Sequence, residues 1–97
     1  MMQATAPGVL CRDIVIANKR GLHARAAARF VQLAEKFDAE VTVSKDATTV
    51  GGTSIMGLMM LAAGIGSLIR IAADGPQAEA AVSALSDLVA DKFGEDE

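Results

Sequence analysis

Apolar residues along this chain recur first at every second position, then at every third or fourth. The alternation of those two periods limits the folds open to it. Leu10, Ile14 and Ile16 share one side of an extended run over residues 10–16, with Cys11, Asp13 and Val15 on the other. Arg12 is the one polar residue among the inward positions. Ala27, Phe30, Val31, Ala34 and Phe37 then fall at offsets 0, 3, 4, 7 and 10, one face of a helix expected over about residues 23–37. Period two returns in 40–44, with Val41 and Val43 inward, and Lys45-Asp46-Ala47 turns this strand into a short partner over 48–51. A second, shorter helix is expected from Ile55 to Ala63, capped by Thr53 or Ser54 and ended by Gly64. Ile69 and Ile71 oppose Leu68 and Arg70 in a strand over 67–73. Asp74-Gly75-Pro76 opens the last helix, whose stripe is Ala78, Ala81, Val82, Leu85, Leu88 and Val89 and whose end is Gly94.

The order β-α-β-β-α-β-α, with half-buried alternating strands, predicts an α+β fold. It is a two-layer open-faced sandwich in which a four-stranded antiparallel sheet carries three helices on one face. Ninety-seven residues suffice for a single domain over 1–97, with residues 1–9 a loose lead-in and 95–97 a fraying tail. Architecture of this kind hosts many activities, so function has to come from side chains.

Composition removes several classes of function. A net charge of -3, three Phe and no Trp or Tyr argue against nucleic-acid binding, which needs clustered cations or stacking rings. One cysteine, Cys11, excludes an intramolecular disulfide, and with a single histidine it cannot complete a protein-only zinc site, so no metal or cofactor is expected. The first thirteen residues lack the pattern of a signal peptide, and the apolar run Ile55–Ile65 falls short of the ~18 residues of a spanning helix. The expectation is a cytoplasmic monomer with reduced thiol and no membrane insertion.

The chemistry concentrates in Gly21-Leu22-His23-Ala24-Arg25. A flexible turn delivers the single histidine to the start of an alanine-rich helix, where backbone N–H groups lack intrahelical partners and the peptide dipoles make that end electropositive. Such an end binds anions. A neutral imidazole there can attack phosphorus, while the amides and the Arg25 guanidinium neutralise phosphoryl oxygens. Small residues at Ala24 and Ala28 leave room for a protein surface to approach the ring, and the basic turn Lys19-Arg20 offers steering for an acidic partner.

Gly21-Leu22-His23-Ala24-Arg25, followed by the Ala-rich helix with Phe30-Val31, resembles the phosphohistidine site of the HPr family. These are the histidine-containing phosphocarriers of the phosphoenolpyruvate-dependent phosphotransferase system. Thr53-Ser54-Ile55-Met56-Gly57-Leu58-Met59 is similar to the regulatory-serine segment of the same family, and the resemblance runs from about Leu10 to Val89. It implies a carrier, not a free-standing enzyme, that takes a phosphoryl group from enzyme I onto Nδ1 of His23, with Arg25 stabilising the phosphate. The carrier then passes the group to an enzyme IIA. It further implies Ser54 as a candidate phosphoserine addressed by an HPr serine kinase/phosphorylase. Many relatives have proline directly after the arginine. Here the position is Ala26, which leaves the first turn helical but less rigidly preformed. Ile55, Met56 and Met59 on the short helix, with Ala24 and Ala28, are the candidate docking residues. Two other readings stay open at this point: a ligand-binding regulatory domain of similar topology, and a purely regulatory relative acting through Ser54 alone.

Overall fold

The computed structural model describes residues 9–97; the expected loose lead-in falls at 1–8, outside the described residues, except for Val9, which belongs to the first strand. The elements are β1 (Val9–Val15), α1 (Ala24–Ala34), β2 (Glu40–Lys45), β3 (Thr48–Gly51), α2 (Ile55–Met60), β4 (Leu68–Asp74) and α3 (Ala78–Ala90), followed by a 3₁₀ turn over Lys92–Gly94. One sheet in the order β1-β4-β2-β3 is antiparallel throughout. The two-layer open-faced sandwich expected from the alternation is the observed fold.

The alternation explains the layers. Ile69, Ile71 and Ala73 of β4 and Val41 and Val43 of β2 point to the helices and are buried, and Val43 lies opposite Ile71. Phe30 and Val31 of α1, Leu58 of α2 and Leu85 and Val89 of α3 close on them to form the core. The other face of the sheet is open. There Arg70 of β4 forks onto Asp13 of β1, with Nε donating to Oδ1 at 2.7 Å and Nη2 to Oδ2 at 3.3 Å, and its hydrogen bond holds the Asp13 carboxyl below the usual range. Arg12 falls on the helix-facing side of β1 and is still exposed, because β1 is an edge strand.

Helix ends differ from the sequence expectation. α1 stops at Ala34, and Phe37 packs on the core from the following turn. α2 is shorter than expected: Ala62, at φ 52°, takes the left-handed position after it, and Gly64 does not end the helix. α3 ends at Ala90, four residues before Gly94. Period arguments locate a helix by its buried stripe, and the stripe says little about the last turn.

Candidate functional site

The turn between β1 and α1 is closed by its own polar groups. Asn18 is fully buried; its carbonyl accepts from the Gly21 amide at 3.2 Å, and its Nδ2 donates to the Gly21 carbonyl at 2.9 Å. Gly21 adopts φ 65°, and a Cβ there would stand 2.3 Å from the Ala63 carbonyl oxygen, so the position requires glycine on two counts. The next residue, Leu22, donates its amide to that same carbonyl at 2.9 Å and buries its side chain. The turn is thereby fastened to the segment after α2, and His23 follows in a fixed place.

His23 is the N-cap of α1, in extended conformation at φ -76° and ψ -178°, and its side chain makes no capping bond. Its carbonyl takes the first helical bond, from Ala27 at 2.8 Å. The amides of Ala24, Arg25 and Ala26 therefore precede any intrahelical acceptor, as at every helix start. No acidic residue occupies the first turn of α1 itself. The ring is partly exposed, its side chain at 23%, and Nε2 lies 2.5 Å from Oε2 of Glu95. A carboxylate accepts from a ring N–H, so this contact puts the proton on Nε2 and leaves the lone pair on Nδ1.

Glu95 was expected to fray with Asp96 and Glu97; instead it is fastened to the site. Its Oε1 accepts from Nδ2 of Asn18 at 3.0 Å, Lys19 donates its amide to the Glu97 carbonyl at 2.5 Å, and Lys19 Nζ stands 3.8 Å from the Glu97 carboxylate. Burial pushes the Glu95 carboxyl up, but hydrogen bonds from Asn18 and His23, with the nearby charge of Arg20, outweigh it. Its pKa ends below the ordinary value. Lys19, Arg20 and Arg25 line an open groove of about 540 Å³ together with Glu95, Asp96 and Glu97. Arg25 is exposed and has no ion pair among the described residues.

The remaining candidates lie on α1 and α2. Ala24 is exposed and Ala28 half-buried. Ser54 caps α2, its hydroxyl accepting from the Gly57 amide at 2.9 Å, and it is exposed. Ile55, Met56 and Met59 are 42%, 70% and 41% exposed, and Met60 reaches 74%. The structure thus gathers His23, Arg25, Lys19 and Arg20 at one helix end, while Ser54 begins a different helix and bonds its own first turn. Sequence reasoning missed Asn18 and Glu95. They lie 77 residues apart, and no periodicity or motif signals such a pairing.

A family model described as the PTS HPr component phosphorylation site matches residues 10–91. The chain belongs to the HPr family. Phosphocarrier protein HPr of Cupriavidus necator is 51% identical over 89 residues, which cover 92% of this chain and all of that protein. Phosphocarrier protein HPr of Neisseria meningitidis is 49% identical with the same coverage. A solved HPr structure from Thermoanaerobacter tengcongensis superposes with a TM-score of 0.86 at 45% identity, covering 91% of this chain and 99% of the other. The chain is accordingly a phosphocarrier of the phosphotransferase system, and as a member of that family it carries the phosphoryl group instead of turning over a substrate itself.

Proposed function

We propose that His23 is the phosphoryl acceptor of this HPr and that the phosphate is carried on Nδ1. The observation that carries this reading is the division of labour on the ring: Nε2 is occupied by Glu95, and Nδ1 is the nitrogen left with a lone pair, at the start of a helix with free amides. Arg25, two residues on and without an ion pair among the described residues, serves as the cation that spreads over the phosphoryl oxygens, for which its fork of donors is suited. Enzyme I is the donor and an enzyme IIA the acceptor, and the exchange takes place in the cytoplasm with the carrier as a monomer. Among the described residues, no helix is long and apolar enough to cross a membrane.

Ile55, Met56 and Met59, together with Ala24 and Ala28, form the face on which partners dock. Exposed thioethers adapt to differently shaped surfaces, which suits a carrier that meets a donor and an acceptor in turn. Ser54 is a regulatory position addressed by an HPr serine kinase/phosphorylase: its hydroxyl is exposed, and a phosphate there adds negative charge immediately before the docking residues. Incubation with phosphoenolpyruvate and enzyme I tests the central assignment. One acid-labile phosphate is expected on the wild type and none on His23→Ala. A phosphate retained by His23→Ala contradicts it.

A further inference from the structure

After α3 the chain reverses through three successive residues in left-handed conformation, Lys92 at φ 58°, Phe93 at φ 55° and Gly94 at φ 79°. Two contacts hold this reversal. The Phe93 side chain is fully buried, and its carbonyl accepts from Nη1 of Arg29 on α1. Gly94, at φ 79°, sits in a left-handed conformation that favours glycine. Glu95 emerges aimed back at the start of α1 and divides its two oxygens between Asn18 and His23. Asn18 has no freedom to turn. It is fully buried, its Nδ2 has two acceptors, and exchanging its nitrogen and oxygen would set a carbonyl oxygen against both.

We propose that Glu95 is a positioning residue that keeps the Nε2 proton on His23 through the whole transfer cycle, with buried Asn18 aiming its carboxylate. This rests on the reading of His23 as the phosphoryl acceptor. In the unloaded carrier the ring is neutral, protonated at Nε2. The Nδ1 lone pair forms the bond to phosphorus as the donor's bond to phosphorus breaks and its electron pair stays with the donor. The ring then bears the phosphoryl group on Nδ1, still has its proton on Nε2, and carries a positive charge facing Glu95. In the second transfer the acceptor's lone pair bonds to phosphorus, the Nδ1–P electron pair returns to Nδ1, and a neutral imidazole leaves. No proton enters or departs. If the Nε2 proton were lost while the phosphate was bound, the leaving group would be an imidazolate anion and transfer would slow. The carboxylate opposes that loss by stabilising the cationic ring. Lys19, Arg20 and Arg25, which line the same groove, work against a cationic ring, while Asp96 and Glu97 reinforce Glu95, so the carboxylate in direct contact decides the balance.

The test is Glu95→Gln, with Asn18→Ser as the second variant. Each is phosphorylated with phosphoenolpyruvate and enzyme I, and the Nε2 resonance of the loaded ring is titrated. Glu95→Gln is expected to lower the midpoint of that titration by about one pH unit, about a ten-fold change in proton affinity. Asn18→Ser should move it in the same direction by less. Transfer to an enzyme IIA should then fall behind wild type increasingly as pH rises, because the variant ring sheds its proton first, and should match wild type at acidic pH. An unchanged midpoint in Glu95→Gln, or a transfer deficit equal at every pH, overturns the proposal and leaves Glu95 a structural tie. If Asn18→Ser does not fold, Glu95→Gln alone decides. Wild type that takes no phosphate on His23 instead overturns the acceptor assignment, a result readable before either variant is made.

Discussion

At the scale of single residues, the site depends on which atoms of one imidazole are already engaged. That His23 and Arg25 come together was legible in the sequence, because residues two apart at a helix start share one small volume whatever the rest of the chain does. Glu95 was not, since the bond it makes depends on where a chain end 72 residues away happens to return. Arg25 is exposed and has no ion pair among the described residues, so Arg25→Ala is expected to remove a charge from the site without disturbing packing. Transfer from enzyme I is expected to slow about ten-fold or more with the thermal midpoint unchanged, and equal transfer rates would remove Arg25 from the mechanism. Glu95 titrates below the ordinary glutamate value in the folded protein. Its contribution to holding the tail is therefore complete above that ordinary value and disappears as pH falls through the lowered one. Acidification into that range should release the tail, seen as loss of the Lys19–Glu97 amide protection in exchange measurements, and Glu95→Gln should flatten the dependence.

At the scale of elements, existence was easier to read than extent. β1, β2 and β4 followed from alternation and α1 and α3 from their stripes, with Ile69 and Ile71 inward and Phe30 and Val31 against them, while β3 followed from the turn before it and α2 from its cap. The ends followed other physics. α2 ends in a left-handed alanine, a conformation that costs an L-residue energy and that sequence gives no reason to place there. The same brevity explains the exposed methionines, because a six-residue helix packing through Leu58 cannot cover Met56, Met59 and Met60 as well. Replacing Met56 and Met59 together with lysine should weaken enzyme I binding, measured by titration calorimetry, and leave the thermal midpoint nearly unchanged. A large fall in that midpoint would return both side chains to the core.

At the scale of the whole molecule, the two-layer fold supplies a rigid platform and the chain end completes the site upon it. The platform was readable because its layers follow from pattern. The completion was not: Phe93 falls four residues after Val89, where a continuing helix would carry the stripe on, but the helix ends at Ala90 and Phe93 is buried from a left-handed turn that aims Glu95 at the site. Phe93→Ala should cost about 3–5 kcal/mol in denaturant unfolding. It should also free Glu95, so that the His23 ring moves without the tail; a variant of wild-type stability would show that Phe93 is not the anchor. The account as a whole turns on one ring nitrogen being held and the other left open. Nitrogen–phosphorus coupling in isotope-labelled protein, loaded from phosphoenolpyruvate through enzyme I, reads this directly. Coupling to Nδ1 of His23 is the predicted result, and a phosphate on Nε2, or on any other residue, would contradict it.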